Sequence, residues 1–227
     1  MDAPHAGHRQ RMRERFLKMG LDSFEPHEVL ELLLTYSIPR KNTNVIAHKL
    51  IDKFGSISAV FDAPCEALMS VDSITENSAV LIKMVPQILR FYKSEMNESK
   101  CLNTIERVTG FFSVAFIGLT KEEFKVCCLD NGLNVISCTT VAKGTNKSAP
   151  ITARLVAEAA FNANSSNVII AHNHPDASCT PSEADKVVTR KLRTSLKAID
   201  IDVLDHIIVG KDGVMSFKKI GLIPFID

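Results

Sequence analysis

The sequence lacks three features that would assign it to a common class of protein. Its net charge is only +1, from 27 Lys and Arg against 26 Asp and Glu, so the whole chain has no electrostatic reason to coat nucleic acid or an acidic membrane. It has neither an apolar signal core at the start nor an apolar run that could span a bilayer. Its six cysteines form no Cys-x-x-Cys pair. We therefore expect a cytoplasmic protein with reduced thiols and no membrane partner.

The apolar residues, 45% of the chain, are enough for a buried core. In residues 26–94 they recur at helical spacing, which predicts a small bundle of about five short helices. Pro26 suits a helix start and Gly55 a helix end. Residues 1–20 are polar and basic and predict a short amphipathic helix. Its basic side is either a solvated face or an arm that contacts phosphates.

A change of pattern divides the chain. The polar stretch 93–103 predicts a boundary, with a helical domain over residues 1–98 and a second domain over 104–227. In the second domain Asn131-Gly132 is a strong hairpin signal. The remaining patterns follow in the order strand, strand, helix, strand, helix, strand, strand. This order predicts an α/β (α+β) architecture with a mixed sheet flanked by helices.

The most informative stretch begins with a short apolar run, Val168–Ala171, which predicts a buried strand. His172 and His174 follow, and alternate residues of a strand share one face. A turn-rich loop then leads to Asp185, which the loop can bring beside the histidines. Two imidazoles and a carboxylate suit a catalytic zinc ion, which takes three protein ligands and a water molecule whose pKa it lowers to about 7.

Simpler interpretations of the same residues stay open. A lone His-x-His pair is usually not a metal site. Ser182 followed by Asp185 is also the pattern of a helix cap, so helix initiation alone explains both residues. The two interpretations are compatible, because a helix starting here would hold Asp185 rigidly in its first turn. Cys179 either approaches the metal or is a free thiol of the loop.

The complete spacing, His-x-His, seven residues, Ser182, two residues, Asp185, resembles the JAMM (MPN+) metalloprotease motif. Residues 171–175, 180–185 and 204–207 resemble the RadC branch of that superfamily, and the resemblance extends over essentially the whole chain. It implies an MPN/JAMM-like mixed-sheet domain over 104–227 and one Zn²⁺ ion per chain.

The resemblance also implies a helix-hairpin-helix module in the N-terminal region. The matching stretch is Val71–Ser78. Such a hairpin normally needs glycines, so that backbone N–H groups can approach a phosphate closely. This stretch has no glycine and carries Asp72 and Glu76. The module is therefore expected to be degenerate, with a structural or partner-binding role as an alternative to DNA binding.

Residue roles follow from the resemblance alone. It implies that His172, His174 and Asp185 bind zinc, with Asp185 monodentate, and that Ser182 donates a hydrogen bond to the developing oxyanion. A RadC pattern matched at Glu122–Asp130 makes Glu122 the general acid/base, with Glu123 as the second choice.

Three further residues are candidates for orienting the ligands or lining the cleft. Asp205 and His206 fit either that role or a locally satisfied pair in a strand. Arg154 matches an arginine of the family and is expected to face the cleft. The family's Ser-Gly after the second His-Pro is replaced by Asp176-Ala177, which leaves the shape of the loop open.

Two functions from different classes compete. The first is a zinc-dependent metallohydrolase, a peptidase or isopeptidase of the JAMM type acting on a protein or peptide, in which Glu122 activates the zinc-bound water. The second is a DNA-repair-associated DNA-binding or scaffold protein with a vestigial metal site. A two-metal nuclease is disfavoured, because ligands for only one metal are found. A zinc deaminase is excluded by the missing His-x-Glu and Pro-Cys-x-x-Cys elements.

Overall fold

The computed structural model describes residues 7–96, 101–144 and 151–223. The chain divides into two compact units, Met1–Leu89 and Arg90–Asp227. The domain bounds inferred from the sequence, 1–98 and 104–227, stay a prediction. Within the described residues no helix is both long enough and apolar enough to cross a membrane.

The described residues from 7 to 96 are mostly helical. They are α1 (His8–Met19), α2 (Pro26–Leu34), α3 (Thr43–Phe54), α4 (Ile57–Asp62), α5 (Cys65–Met69) and α6 (Glu76–Met96), with one 3-10 turn (Leu21–Ser23). The five helices expected after residue 26 are present, although α6, with 21 residues, is long. The apolar core of the first unit is formed by residues from α2 to α6, among them Leu30, Leu34, Leu50, Leu68 and Ile82.

Arginines of α1 bind other parts of the first unit. The Arg9 guanidinium donates to three backbone carbonyls within residues 38–41, at 2.6–2.8 Å. Arg15 pairs with Glu28 at 2.8 Å. Arg9 and Arg15 of the basic N-terminal segment therefore stabilise the fold of the first unit.

The stretch Val71–Ser78, which matches the helix-hairpin-helix module, covers the turn between α5 and α6 and the start of α6. Ser73 has φ +72°, in the left-handed region that favours glycine. Its hydroxyl accepts a hydrogen bond from Lys41 at 2.9 Å, and the neighbouring Asp72 pairs with Lys49 at 3.2 Å. The turn therefore keeps a glycine-like conformation, but it presents a side chain and a carboxylate where close approach of a phosphate would need bare backbone.

The second unit is a mixed sheet with helices on both faces. Its elements are α7 (Ile105–Ala115), β1 (Glu123–Leu129), β2 (Val135–Lys143), α8 (Ala153–Asn162), β3 (Asn167–Asn173), α9 (Glu183–Lys197), β4 (Asp202–Gly210) and β5 (Gly213–Ser216). The strand order is β2-β1-β3-β4-β5. β3 and β4 are parallel and the other neighbours are antiparallel. The predicted fold class and order of elements are confirmed.

Two apolar layers hold the helices to this sheet. On one face, β1, β3 and β4 pack against α8 and α9 through residues that include Val126, Ile170, Val156, Leu192 and Leu196. On the other face, α7 packs through residues that include Phe112, Cys127, Leu129, Ile169 and Ile207. Because side chains alternate along a strand, each strand contributes to both layers.

One irregularity in the sheet affects the site. Val168 pairs with Val203, but the next residue of β3, Ile169, pairs with Asp205. This β-bulge adds one residue to β4 and reverses the faces of the side chains that follow. As a result His206 lies on the same face as Val203, the face covered by α8 and α9, whereas regular alternation would have placed Asp205 there.

Candidate metal centre

The end of β3 and the first turn of α9 bring three potential ligands together. One ligand atom each from His172, His174 and Asp185 lies within 4.8 Å of the other two. The two histidine Nε2 atoms are 2.9 Å apart, and His172 Nε2 is 3.3 Å from Asp185 Oδ1. Among the described residues, no other group of three His, Cys, Asp or Glu side chains converges in this way.

Asp185 is held by the helix cap. Its Oδ2 accepts hydrogen bonds from the Ser182 backbone N–H at 2.8 Å and the Ser182 hydroxyl at 2.6 Å. Burial raises the pKa of Asp185, but the hydrogen bonds from Ser182 are among the contacts that lower it, and the net pKa is below its ordinary value. The carboxylate is therefore ionised at neutral pH, with Oδ2 engaged in capping and Oδ1 directed at His172. Capping and ligation are compatible, and the geometry favours monodentate binding.

The protons around His172 are fixed by a chain of hydrogen bonds. The Thr189 hydroxyl lies 2.6 Å from the Asp185 carbonyl oxygen, which can only accept, so its one proton is donated there. His206 Nδ1, 2.6 Å from the same hydroxyl, is then the donor, which leaves His206 Nε2 as an acceptor. That atom lies 2.9 Å from His172 Nδ1. These contacts place a proton on His172 Nδ1, so that in the neutral ring the Nε2 lone pair faces the other ligands.

His206 can accept from His172 because it is neutral. Burial, and then its proximity to His172, lowers the pKa of His206 well below its ordinary value. The ring centroid of Phe217 lies 4.6 Å from that of His206, and Phe124 stacks on His172 at 6.1 Å. These aromatic rings pack against the two buried imidazoles and hold them in place.

His174 is oriented independently. Its Nδ1 lies 2.7 Å from the carbonyl oxygen of Ser178, so Nδ1 carries the proton and donates it. Its backbone N–H donates to the Val209 carbonyl at 2.8 Å, which anchors the residue beyond the end of β3. In the neutral ring, His174 Nε2 is therefore the acceptor nitrogen, and it lies in the cluster.

The donor set fits a zinc ion. Two unprotonated ring nitrogens at 2.9 Å repel each other unless a proton or a metal ion lies between them. The addition of an ionised carboxylate oxygen makes the cluster a site for a cation. Zinc prefers imidazole nitrogen with carboxylate oxygen, whereas calcium and magnesium prefer oxygen ligands alone. Zinc bond lengths of about 2.0–2.1 Å imply ligand atoms about 3.4 Å apart in a tetrahedron. The observed distances are 2.9 Å between the two histidine nitrogens, 3.3 Å from His172 Nε2 to Asp185 Oδ1 and 3.9 Å from His174 Nε2 to Asp185 Oδ2.

Glu122 lies next to this cluster in the register of the sheet. Phe124 of β1 pairs with His172 of β3, and counting back along the antiparallel pair places Glu122 opposite His174. Glu122 is exposed and immediately precedes β1. Strand alternation extended by one residue beyond β1 would place its side chain on the same side as Phe124 and His172.

The asparagine between the two histidines fixes the backbone on either side of Glu122. The buried side chain of Asn173 accepts from the Glu123 N–H at 2.8 Å and donates to the Lys121 carbonyl at 3.1 Å. Asn173 thus ties the ligand strand to the segment that carries the candidate general base.

Glu123, the second choice for the base, points to the opposite face. It is buried and pairs with Lys125 and Lys143, both at 3.1 Å, while Thr140 donates to it at 2.9 Å. Burial raises the pKa of Glu123, but these hydrogen bonds lower it by a larger amount, so the net pKa is below the ordinary value. The contacts of Glu123 thus engage it on the other face of the sheet, and Glu122 as the general base stays a prediction.

Two other candidates have local partners. The Ser182 hydroxyl proton is donated to Asp185, so donation to an oxyanion, which stays a prediction, would require the hydroxyl to rotate. Arg154 lies on the exposed side of α8 and pairs with Glu158 at 2.8 Å. These contacts place Ser182 in the cluster and give no support to Arg154 as a cleft residue.

The side chains of Asp205 and His206 lie on opposite faces of the sheet, because side chains alternate along β4. The Asp205 carboxylate is buried on the opposite face and accepts from the Ser216 hydroxyl at 2.5 Å, the His206 N–H at 2.7 Å and the Lys218 N–H at 2.9 Å. Burial raises the pKa of Asp205, although these hydrogen bonds oppose the rise. Asp205 thus stabilises the chain after β5, while His206 contacts the ligand His172.

Cys179 is a free thiol, but it is not exposed in the loop. It is buried in a small apolar cluster with Ile208, Phe217 and Ile223.

The sequence analysis did not predict the roles of Thr189 and Asn173. Both carried a signal, since Thr189 is one helical turn after Asp185 and Asn173 lies inside the motif.

Comparisons with known proteins give the family of this chain. A family model described as the RadC-like JAB domain matches residues 102–222. The chain belongs to the RadC family. A UPF0758 protein of Fusobacterium nucleatum is 35% identical to this RadC protein over 227 residues, covering 96% of this chain and 97% of the relative. A UPF0758 protein of Psychrobacter sp. is 33% identical over 216 residues, covering 95% of this chain and 96% of the relative. The RadC domain thus contains the whole ligand cluster.

The structural role of Asp205 can be tested through the stability of the protein. Asp205→Ala leaves three donors without their acceptor, and each unsatisfied buried donor costs about 1–3 kcal/mol, so we expect the free energy of unfolding to fall by about 3 kcal/mol or more. Chemical denaturation followed by circular dichroism measures the change. The control is Asp202→Ala on the same strand, which removes a pair with Lys197 at 2.8 Å and should cost less than about 1 kcal/mol. Equal losses would contradict the assignment.

Proposed function

We propose that this RadC protein is a zinc-dependent hydrolase of peptide or isopeptide bonds, with one zinc ion per chain. The observation that carries the proposal is the convergence of two imidazole nitrogens and one carboxylate oxygen, from His172, His174 and Asp185. The JAB/MPN superfamily, to which the RadC domain belongs, includes metalloproteases. A bound zinc ion would supply Lewis acidity and lower the pKa of a water molecule in its open position.

Glu122 supplies the proton transfers of the proposed reaction. Its carboxylate accepts a proton from the attacking water as the oxygen bonds to the carbonyl carbon, and it passes that proton to the leaving amine nitrogen as the C–N bond breaks. The exposure of Glu122 leaves room for a substrate, and the clamp by Asn173 fixes its backbone. Ser182 holds Asp185 and is the candidate donor to the oxyanion.

Metal content tests the first part of this proposal. We expect elemental analysis of protein purified without added metal or chelating tags to give about one zinc per chain, and His174→Ala to lose it because one ligand is missing. His48→Ala is a matched control, since His48 is exposed and stacks only on His27. A wild-type protein that contains no zinc and takes up none on titration would move support to a binding or scaffold role with a vestigial site.

The hydrogen-bond chain behind His172 has its own test. Thr189→Val keeps the shape of the side chain but removes the group that fixes the tautomer of His206, and through it that of His172. We expect zinc affinity, measured by competition with a chromophoric chelator, to fall about 10–100-fold. Thr109→Val is the control, because Thr109 also donates to a carbonyl of its own helix, at 2.9 Å, and lies in α7. A similar loss in both variants would contradict the role of Thr189.

Catalysis is tested by Glu122→Gln. This variant keeps the three metal ligands, so it should retain zinc, while loss of the base should slow cleavage about 10²–10⁴-fold. The assay is a screen of peptides, isopeptide-linked conjugates and linear tail fusions with the zinc-loaded protein. Glu183→Gln, which alters an exposed glutamate paired with Lys186, is the control. If the zinc-loaded wild type cleaves none of these and behaves as Glu122→Gln does, the hydrolase proposal fails.

A further inference from the structure

We propose that Asp212, in the turn between β4 and β5, is a positioning residue that keeps His174 in its metal-binding orientation by holding the peptide group between Ser178 and Cys179. Asp212 touches none of the three ligands, and it follows His174 by 38 positions. The inference rests on the proposed function for the identity of the metal, but its structural part can be tested without metal.

The connection passes through one peptide plane. The Ser178 carbonyl and the Cys179 N–H belong to the same planar trans unit, so they point in opposite directions and turn together. The carbonyl accepts from His174 Nδ1 at 2.7 Å. The N–H donates to Asp212 Oδ1 at 2.8 Å. Asp212 and His174 therefore bind opposite edges of a single rigid group, and holding one edge fixes the direction of the other.

Asp212 has a second hold on the same loop. Its Oδ2 accepts from the Ser178 hydroxyl at 2.6 Å. The same hydroxyl oxygen accepts from the Thr180 N–H at 3.1 Å. With one oxygen on the peptide N–H and the other on the hydroxyl, the carboxylate restrains both the tilt and the position of the carbonyl that His174 uses.

The turn also fits closely against the loop. A Cβ added at Gly210 would overlap the backbone of Cys179 and Ser178, so the peptide plane lies directly on the glycine. The Lys211 N–H donates to the Ala177 carbonyl at 3.0 Å. This packing keeps the loop backbone against the turn, and Asp212 sets the rotation of the peptide group between Ser178 and Cys179.

The charge of Asp212 suits this role. Hydrogen bonds from Ser178 and Cys179 lower the pKa of Asp212 to about 2, so the carboxylate accepts both bonds throughout the neutral range. Without these bonds, Ser178 and Cys179 could satisfy their donors with water, and the carbonyl would be free to leave His174. The His174 ring could then flip or place its proton on Nε2, which cannot bind a metal in that state.

Two readouts on Asp212→Ala test the proposal. The first is ¹⁵N NMR of the metal-free protein, which reports the ring nitrogen of His174 that carries the proton. We expect the Nδ1–H form to dominate in the wild type and to lose that preference in the variant. The second is the zinc dissociation constant, which we expect to rise about 10–100-fold. Asp212→Asn should recover most of the wild-type behaviour, because its amide oxygen can still accept from Cys179.

Asp130→Ala is a matched control. Asp130 lies in the β1–β2 turn and accepts from the backbone N–H groups of Gly132 and Asn134, both at 2.8 Å. It thus fixes a turn of the same sheet by the same kind of contact, remote in sequence from the ligand loop. Neither the His174 tautomer nor the zinc dissociation constant should change in Asp130→Ala.

The outcomes separate the two proposals. Zinc binding by Asp212→Ala within about twofold of wild type, with the His174 tautomer unchanged, would overturn the role of Asp212 and leave the zinc proposal intact. A shifted tautomer in a protein whose wild type binds no zinc would support the role of Asp212 and defeat the zinc proposal. If Asp212→Ala fails to fold, Asp212→Ser replaces it, because this shorter side chain cannot hold both the Cys179 N–H and the Ser178 hydroxyl. It should weaken zinc binding a few-fold, and no change in either readout would overturn the proposal.

Discussion

The candidate metal centre depends on one electrostatic constraint: His172 Nε2 and His174 Nε2 face each other at 2.9 Å, and in the neutral rings both lone pairs are directed inward. This arrangement is unfavourable without a cation, so the fold must prevent both rings from turning away or moving their protons. It does so by giving each Nδ1–H a fixed acceptor. For His172 the acceptor is His206 Nε2, and for His174 it is the Ser178 carbonyl. The two acceptors lie on different elements, so the two ligands are fixed independently.

The acceptor for His172 makes the greater demand on the fold. A buried histidine must stay neutral to accept a hydrogen bond, and burial lowers the pKa of His206 in the required direction. The β-bulge in β4 then decides which side chain occupies this place, because it turns His206, rather than Asp205, towards β3's ligand. The last step is Thr189, whose hydroxyl links His206 to the backbone of α9 beside Asp185. Sheet and helix are thus joined by the same bonds that fix the ligand.

Much of this site could be predicted from local sequence rules. Strand alternation places His172 and His174 on one face, and the capping pattern puts Asp185 in the first turn of a helix. These rules act over a few residues, and the structure follows them. The roles of His206 and Asp212 could not be predicted in this way. The first depends on a bulge that period-2 alternation does not signal, and the second on a contact between a turn and a loop far apart in the chain.

The loop substitution at Asp176-Ala177 shows which glycine the site needs. Ala177 does not have positive φ, so the backbone here does not require the glycine that the family usually carries after the second His-Pro. Its carbonyl is held by the Lys211 N–H, and Asp176 forms an exposed pair with Lys211 at 3.3 Å. The close approach falls instead on the opposing turn, where Gly210 admits the loop backbone. The loop can therefore vary in sequence while its path, and the carbonyl that orients His174, is set from the β4–β5 side.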